Sequence, residues 1–593
     1  MLATLLTVFG IGLVLFVHEA GHFLAARAAG VRVEVFSLGF GPRLFGWRRG
    51  ETDYRLSLLP LGGYVRMAGE EQTRPPLRDE LGAQPPGWRF LIFSGGILMN
   101  FAFALVVIPV LFAIGVPFEA PVVGTVRPGS PAWQAGVREG ERILEVNDQP
   151  IHAFRAFSAA VALGDAGEVR MTLQAADGAR RELSLEPLFD DQLGFRRIGI
   201  SPSHWAPDLV LGVMPGSVAE LAGLLDGDRL IEVGGLPLAT RLDARLLLER
   251  AVLGSGPLQL AVERDGQRLD FSLPRGEPQA VDAVQIGILH LLNQVMEVRD
   301  PRLAEFLQPG DLVVRANGEE VRSIAEMAAA VLRLGGRLRL EVQRGGERLE
   351  HDFGSGFVPG DLVAGLWLDG GEAVRVGVRP DGPASGTGLQ TGDRILRANG
   401  GEVPDMAALA QAVRGAGADP VSLLVSRPGL EDPFAVTILP RRMPRPDFGF
   451  ALRADREIVR SDGPLEALSM GFREANQMVR EIGGTFRGML SGAVDSKNLG
   501  GILTIGTITH SFASEGLAPL FFFLAMISIH LGVLNLLPIP ALDGGHMLFV
   551  LVEKLRGRPL SPSTQGWFNV AGLVAVFSLI IFVTMNDLDR FFG

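Results

Sequence analysis

The stretch GIGLVLFVHEAGHFLAARAAG (Gly10–Gly30) is an apolar run that contains His18, Glu19 and His22. Together with the apolar residues from Leu2 onward, it exceeds the roughly 20 residues that a helix needs to cross a bilayer. Ionisable side chains are costly inside a membrane and are usually functional there. The stretch therefore predicts a transmembrane helix that carries a site.

A cleaved signal peptide is the alternative interpretation of this stretch. Such a peptide normally has basic residues before its apolar run and a small-residue cleavage site after it, and the sequence shows neither pattern. We therefore expect a helix of the mature protein at 1–30. Three further apolar stretches predict transmembrane helices at 89–118, 516–552 and 567–586.

The basic residues between these stretches predict the topology. Cytoplasmic loops carry an excess of Lys and Arg, and both 31–88 and 553–566 are rich in them. We expect these two segments in the cytoplasm. The long region from 119 to the third apolar stretch is then expected on the far side of the membrane.

Composition restricts the chemistry. The formal net charge of −11 gives no electrostatic support for a nucleic-acid partner. The sequence contains no cysteine, which removes disulfides, thiolate ligands and cysteine nucleophiles. Histidine, aspartate and glutamate remain as the strong metal ligands.

The middle of the chain repeats itself. GERILEVNDQPI at Gly140 recurs as GDRLIEVGGLPL at Gly227, GDLVVRANGEEV at Gly310 and GDRILRANGGEV at Gly392, at spacings of 82 to 87 residues. Self-similarity at a fixed period indicates an array of one small domain. Each copy combines a Gly-Asp or Gly-Glu turn, a short alternating strand and a second turn.

With PGSPAWQAGV, PGSVAELAGL and DGPASGTGL upstream, these copies resemble the PDZ domain in its bacterial arrangement. The third copy, DPRLAEFLQPGD, lacks the Ala-Gly pair, and we expect it to be degenerate. The resemblance implies grooves that take peptide C-termini as an added strand. The alternative is a steric filter that binds nothing.

His18 and His22 are four residues apart and so lie on one face of a helix, where both rings can point at one ion. Glu19 reaches the water bound to that ion rather than the ion itself, which is the H-E-x-x-H arrangement. A divalent ion lowers the pKa of its bound water, and a carboxylate accepts the proton. A structural histidine pair is the alternative interpretation.

A catalytic zinc site generally has three protein ligands and one open position. Asp543, in NLLPIPALDGGH, is the one acid between Glu515 and Glu553 and is the first candidate for the third ligand. His530 and His546 compete with it. Non-helical backbone around the prolines of this segment is tolerated at membrane depth where it lines a cavity.

HEAGH in the first helix and NLLPIPALDGG in the third resemble the site-2 protease family of intramembrane zinc metalloproteases, of the regulator of sigma-E protease type. SLGFGP, LPLGGYVRM, DSKNLGG and the region from GPLEAL to VTMND extend the likeness. The resemblance implies one Zn²⁺ per chain and assigns the site residues as follows: His18, His22 and Asp543 as ligands, Glu19 as general base, and Asn535 and Pro538 at the substrate.

Two features depart from the family pattern. Where the family usually has Gly-Pro, this sequence has Gly96-Ile97 and Gly501-Ile502, which puts the local helix geometry in question. Four PDZ-like copies also exceed the two that are usual in this type.

DYRLSLLPLGGYVRM predicts two strands around a Pro-Leu-Gly-Gly turn, directly after the first helix. A helical substrate has its carbonyls bonded internally and must unwind before it can be attacked. We expect an exposed edge at Gly62, Gly63 and Tyr64 to pair with the unwound substrate. The alternative is a hairpin that merely packs against the helices.

An amphipathic helix is predicted before the third apolar stretch. Its apolar residues recur at spacings of three and four, which is typical of a helix with one buried or membrane-facing side. It either lies at the membrane surface, covers the substrate entrance or packs as an ordinary helix. The residues of this stripe are Leu465, Leu468, Phe472, Ala475, Val479, Ile482, Phe486 and Met489.

These features predict a multi-domain polytopic membrane protein. Its α-helical transmembrane core has four helices, with a cytoplasmic β-hairpin and an inserted array of four PDZ-like α+β domains. The predicted units are helix 1 (1–30), the membrane-associated hairpin region (31–88), helix 2 (89–118), PDZ-like domains at 119–202, 203–280, 281–358 and 359–445, amphipathic helices (446–515), helix 3 (516–552), a cytoplasmic loop (553–566) and helix 4 (567–586).

The leading prediction for function is an intramembrane zinc endopeptidase that cuts single-pass membrane proteins. By resemblance, its substrates are pre-trimmed anti-sigma factors or remnant signal peptides. The same resemblance implies the bacterial inner membrane, an active site near the cytoplasmic side and an array that filters substrates. A non-catalytic PDZ scaffold with a vestigial metal site is the alternative, and a metal transporter is a third hypothesis.

Overall fold

The computed structural model describes residues 2–69, 77–163, 167–175, 177–190, 195–203, 205–214, 216–253, 256–274, 283–371, 374–379, 382–443, 448–491, 499–540, 542–558 and 560–592. The DSKNLGG segment lies largely outside these ranges. The helices are α1 (Leu2–Ala28), α2 (Pro86–Ile114), α3 (Pro131–Gln134), α4 (Phe154–Leu163), α5 (Val218–Leu221), α6 (Arg241–Leu253), α7 (Pro301–Ala304), α8 (Ile324–Arg333), α9 (Pro359–Gly365), α10 (Met406–Ala416), α11 (Pro464–Ser491), α12 (Ile502–Glu515), α13 (Leu517–Leu536), α14 (Asp543–Arg556) and α15 (Pro562–Phe592).

The first eleven strands form the hairpin and the first repeat: β1 (Val33–Arg49), β2 (Thr52–Met67), β3 (Val116–Glu119), β4 (Val123–Val126), β5 (Arg142–Val146), β6 (Gln149–Pro150), β7 (Val169–Gln174), β8 (Arg180–Leu185), β9 (Leu188–Asp190), β10 (Phe195–Arg197) and β11 (Ile200–Pro202). Those of the second repeat and the segment after it are β12 (Leu211–Val213), β13 (Arg229–Val233), β14 (Leu236–Pro237), β15 (Leu258–Arg264), β16 (Gln267–Leu273), β17 (Ala283–Gln285) and β18 (Ile288–His290). The remaining strands are β19 (Gln294–Val298), β20 (Leu312–Ala316), β21 (Glu319–Glu320), β22 (Leu338–Arg344), β23 (Glu347–Gly354), β24 (Leu366–Asp369), β25 (Val374–Val378), β26 (Arg394–Ala398), β27 (Gly401–Glu402), β28 (Val421–Ser426), β29 (Phe434–Ile438), β30 (Arg441–Met443), β31 (Phe450–Leu452) and β32 (Arg456–Val459).

Within the described ranges, four helices are long and apolar enough to cross a membrane: α1, α2, α13 and α15. The expected combination of helical membrane spans and β-sheet regions is therefore present. The predicted third stretch contains two helices, because α13 ends at Leu536 and α14 begins at Asp543. Helix α2 continues through Gly96-Ile97 without a break.

Glycines let α1 and α2 approach closely. A Cβ atom on Gly21 of α1 would lie 2.1 Å from the carbonyl oxygen of Gly95 on α2, so no side chain fits between the two backbones. Small residues serve this purpose in membrane helices, where close packing rather than the hydrophobic effect drives association. On its other side, α2 contacts α13, where the Ser528 hydroxyl donates to the main-chain carbonyl oxygen of Asn100 at 3.2 Å.

Helix α15 is fixed to α12 by an acid. Asp587 of α15 is fully buried and accepts hydrogen bonds from the N–H groups of Gly501 and Leu503 at 2.9 and 3.0 Å. These are among the free donors at the start of α12, which a carboxylate satisfies well. The Gly501-Ile502 departure therefore lies at a helix start that another helix caps.

The hairpin after α1 folds back on itself. The segment 33–38 of β1 pairs with 63–67 on one side and with 53–56 on the other, and 43–49 then pairs with the outer side of 52–57. The segment 63–67 is thus one edge of a small sheet. Phe36 anchors this sheet to α1, because its ring packs edge-on against Phe16 and Phe23 with centroids 5.7 and 5.3 Å apart.

Each repeat has a buried apolar core and the same turn chemistry. In the second repeat, Asp228 accepts from the Leu225 N–H at 2.9 Å and pairs with Arg264 at 2.6 Å. Gly227 before it has a φ of +100°, which favours glycine. The equivalent pairs are Glu141–Arg181, Asp311–Arg344 and Asp393–Arg427. The recurring Gly-Asp and Gly-Glu dipeptides therefore hold the turn that starts each strand.

The repeats are nested rather than consecutive. Strand β31, at 450–452, pairs with β12 and completes the second repeat, and β18, at 288–290, pairs with β25 and completes the fourth. The third repeat, built from β19 to β24, is inserted into the fourth, and both are inserted into the second. The predicted bounds at 203–280, 281–358 and 359–445 treat each repeat as one continuous segment. The structure differs from them, because β31 of the second repeat and β18 of the fourth lie outside the segments predicted for those repeats.

Helix α11 corresponds to the predicted amphipathic helix. Ala475 and Ile482 of its stripe are buried against α2 and α13, together with Met478. Leu465 and Phe472, at its beginning, are exposed. The middle of the helix is therefore a packing helix, while its first turns present apolar side chains outward.

Candidate metal centre

His18 and His22 lie on one face of α1, and their Nε2 atoms are 3.3 Å apart. The Oδ2 atom of Asp543 lies 3.4 Å from the first Nε2 atom and 3.3 Å from the second. Both rings are buried. Three potential ligand atoms from two separate parts of the chain thus form a nearly equilateral triangle.

A tight loop places Asp543 as the first residue of α14. The following glycines allow it, since a Cβ atom on Gly544 would lie 2.2 Å from the Leu537 carbonyl oxygen and one on Gly545 would lie 2.4 Å from that of Ile539. The salt bridge between Arg89 and Glu553 then ties α14 to the first turn of α2, with 2.9 Å between Nη1 and Oε2.

The Nδ1 atoms of both histidines have partners on α2. His22 Nδ1 donates to the Ile92 carbonyl oxygen at 2.8 Å, and His18 Nδ1 lies 3.1 Å from the side-chain amide of Asn100. We assign the amide so that its oxygen accepts the His18 Nδ1 proton, since a ligating histidine normally donates from its second nitrogen. Both Nε2 lone pairs then face Asp543.

These atoms fit a zinc ion. Zinc binds histidine nitrogen at 2.0–2.1 Å with tetrahedral geometry, which requires ligand atoms about 3.3 to 3.4 Å apart. The observed separations of 3.3, 3.4 and 3.3 Å meet this requirement. Asp543 Oδ2 is also buried and accepts no hydrogen bond. Such a carboxylate oxygen needs a positive partner, and a metal ion supplies one.

Glycine is required on the face of α2 that meets the two rings. A Cβ atom on Gly96 would lie 2.4 Å from His22 Nε2 and 2.6 Å from His18 Cε1. The missing side chain therefore forms one wall of the metal cavity.

Glu19 lies between the metal ligands and the hairpin sheet. Its carboxylate is within electrostatic range of His18, His22 and Asp543. On the other side it contacts Gly63, where a Cβ atom would lie 2.8 Å from Glu19 Cγ. The edge segment 63–67 thus runs directly beside the predicted general base.

The predicted substrate residues differ in their placement. Asn535 Nδ2 lies 3.3 Å from His18 Nε2, so this amide borders the metal centre. Pro538 lies in the loop before Asp543 with its side chain exposed. Gly62 has a φ of +153° and its Cα faces the Phe40 ring, which stacks on Tyr64 with centroids 6.0 Å apart. Among these residues, Asn535 borders a metal ligand and Gly63 borders Glu19.

The competing ligands point elsewhere. The His530 side chain is exposed and donates to the Met526 carbonyl oxygen at 2.8 Å. His546 stacks on Phe93, with ring centroids 4.9 Å apart and planes 17° apart. Asn100, next to His18, is a site residue that the sequence analysis did not single out. The signal in the sequence was an amide side chain within the apolar part of a predicted membrane helix.

Comparisons with known proteins identify the family of this chain. A family model described as peptidase family M50 matches residues 6–579. The regulator of sigma-E protease RseP of Escherichia coli K12 is 26% identical over 597 residues, covering 98% of this chain and 97% of that protein.

A protein of Neisseria meningitidis serogroup A, whose name includes the words zinc metalloprotease, is 26% identical over 592 residues. The match covers 99% of this chain and 98% of that protein. A solved PDZ domain protein from Parabacteroides distasonis is similar over 57% of this chain and 96% of its own, at 9% identity and a TM-score of 0.12, which is too low to support an argument about fold. The match over nearly the whole chain shows that this membrane protein belongs to peptidase family M50, the site-2 protease family, and is a metalloprotease.

Proposed function

We propose that the protein is an intramembrane zinc endopeptidase that hydrolyses peptide bonds in the transmembrane segments of single-pass membrane proteins. The observation that carries this proposal is the triangle of His18, His22 and Asp543 at tetrahedral spacing, beside Glu19 and among apolar helices. One Zn²⁺ per chain would be held by these three ligands. When bound, zinc lowers the pKa of water towards about 7 and polarises a carbonyl.

The side chains around the ligands have separate roles. Glu19 accepts the proton of the attacking water and later donates it to the leaving amine. Asn100 and the Ile92 carbonyl hold the two imidazoles in the tautomer that leaves Nε2 free. Asn535 donates its amide to the substrate backbone from its position next to His18. Pro538 keeps the loop open on the substrate side.

The edge segment 63–67 binds the substrate as an added strand. A transmembrane helix must unwind before its carbonyls become accessible, and a free sheet edge stabilises the extended form by backbone hydrogen bonds. Gly63 is on this edge and contacts Glu19, so a strand paired there would pass beside the general base. The aromatic contacts of Phe36 with α1 also support a hairpin that packs against the helices. One sheet can therefore pack on α1 and bind substrate at its edge.

The array and the hairpin lie at opposite ends of α2. The hairpin region precedes α2, whereas β3 follows it directly and pairs with β32, where the array returns. A helix of 29 residues is about 43 Å long, which exceeds the thickness of the hydrocarbon core. We place the hairpin and the active site towards the cytoplasm and the PDZ-like array outside, in the bacterial inner membrane and in contact with its lipid.

In this position, the array would exclude proteins with large outer domains. Pre-trimmed anti-sigma factors and remnant signal peptides are the proposed substrate classes. Peptide C-termini are the proposed ligands of the PDZ-like grooves, which take an extended chain by strand addition.

The test is cleavage of several unrelated membrane-anchored stubs by purified wild type and by Glu19→Gln, with zinc content measured on the same samples. We expect equal zinc in both proteins and cleavage by wild type alone, since Glu19 is not a ligand. Zinc in both proteins without cleavage of any stub would contradict the protease and favour the scaffold. Zinc flux in vesicles would favour a transporter.

A further inference from the structure

A second polar cavity lies between the third and fourth repeats. Its volume is about 630 Å³, which is within the range of small-molecule sites. Gln294 and Met296 of β19 form one side, and the fourth repeat forms the other with Arg375, Arg394 and Arg427. The residues of this cavity that the structure describes include no acid.

Two of these arginines are neighbours across strands. Arg375 of β25 pairs directly with Arg394 of β26, which in turn pairs with Ser426 of β28. Like charges in directly opposed positions destabilise a sheet. Arg427 does not add to this repulsion, because Asp393 binds its guanidinium at 2.7 Å. Two positive charges therefore face the cavity without a described acid to balance them.

Arg375 shows the imbalance most clearly. One of its Nη atoms donates to Gln294 and to the Gly370 carbonyl oxygen, but its Nε–H is buried and has no acceptor. Burial and the nearby charge of Arg394 lower the pKa of Arg375 below its usual value. A buried donor without an acceptor is costly in a protein, and here it adds to the cost of the two neighbouring positive charges.

The other repeats balance the same position. In the first repeat, the row is Val122, Arg142 and Gln174, and Arg142 pairs with Glu457. In the second repeat, the row is Val210, Arg229 and Glu263, and its arginine pairs with its glutamate. The third repeat has the uncharged row Gln294, Leu312 and Gln343. Of the four repeats, the fourth alone has two arginines here and no described acid.

We propose that this cavity binds a phosphate group between Arg375 and Arg394. Two guanidinium groups match the double negative charge of a phosphate monoester better than the single charge of a carboxylate, and their planar donors suit its oxygens. The Ser426 hydroxyl, at the position paired with Arg394, offers a further donor. The volume leaves room for more of the ligand, against the apolar side chains of Met296 and Leu430.

The experiment is isothermal titration of the detergent-solubilised full chain with inorganic phosphate at constant ionic strength. We expect saturable binding by wild type and at least tenfold weaker binding by Arg394→Gln. Arg394 is exposed, so its replacement leaves the cores of the repeats intact. The matched control is Arg229→Gln, at the same position of the second repeat, which should bind phosphate as wild type does.

Two further measurements complete the test. In phosphate-free buffer, Arg394→Gln should unfold at a higher temperature than wild type, because it removes a like-charge pair. Glycerol 3-phosphate and a short-chain phosphatidic acid carry the same phosphate without and with acyl chains. Tighter binding of the lipid would identify a membrane source of the ligand, and equal binding would identify a soluble one. No saturable binding by wild type, equal binding by Arg394→Gln, or a lower unfolding temperature of this variant would overturn the proposal.

Discussion

Replacing Gly96 by alanine should empty the metal centre without unfolding the protein. The new Cβ atom would lie 2.4 Å from His22 Nε2 and 2.6 Å from His18 Cε1, whereas ordinary contacts begin near 3.4 Å. One ring or the helix backbone must therefore move by about 1 Å. Zinc–nitrogen bonds vary by only about 0.2 Å in well-formed sites, so a shift of this size breaks the ligand triangle.

We expect Gly96→Ala to lower zinc affinity by about 100-fold or more and to abolish cleavage. Alanine favours a helix over glycine by about 1 kcal/mol, so α2 itself should persist. Competitive chelator titration measures the affinity, and circular dichroism reports the helix content. Gly87→Ala is the matched control on the same helix, because a Cβ atom there has no neighbour within 4 Å. Wild-type zinc affinity in Gly96→Ala would refute the argument from the cavity wall.

Three other predictions concern the third ligand, the hairpin edge and the repeats. Asp543→Asn should weaken zinc binding as well as cleavage, in contrast to Glu19→Gln, and unchanged zinc content would move the third ligand elsewhere. Gly63→Ala should keep zinc but lower kcat/KM by about tenfold or more, because its Cβ atom would displace Glu19 Cγ by about 0.6 Å; unchanged cleavage would separate this edge from the general base. Burial raises the pKa of Asp228, but the Arg264 guanidinium and the Leu225 N–H outweigh it and hold the pKa below its usual value. This carboxylate therefore stabilises the second repeat above about pH 4, and its contribution is lost as the pH falls through the depressed pKa. The difference in unfolding temperature between wild type and Asp228→Asn should accordingly shrink between pH 7 and pH 3, and a constant difference would contradict the ion pair.

The sequence was most informative where chemistry and helix period coincide. The four-residue spacing of His18 and His22 requires both rings on one face of a helix, and the structure has them there. The expectation that Asp543 joins them rested on its being the one acid in an apolar segment, and its Oδ2 atom lies beside both rings. The family membership predicted from these residues is confirmed by the match to peptidase family M50.

Other features could not be predicted because they depend on which elements meet in space. Asn100 is one polar residue in α2, and nothing in its spacing connects it to His18. The need for glycine at position 96 arises from rings that belong to a different helix. The repeat spacing gives the order of the copies along the chain but not the partners of their strands, so the nesting emerged only from the pairing of β12 with β31 and of β18 with β25.

The nesting has a consequence for how the array is made and how it can be cut. The second repeat cannot finish its sheet until residue 452 has left the ribosome, so its β12 edge stays open while the two inner repeats are synthesised. The third and fourth repeats can therefore complete their sheets before the second repeat, although the second begins first. For protein engineering, residues 293–370 form a cassette whose removal leaves the other sheets whole. Excision of 281–358 would instead remove β18 from the fourth repeat. It would also leave β24 of the third repeat without its partner β19.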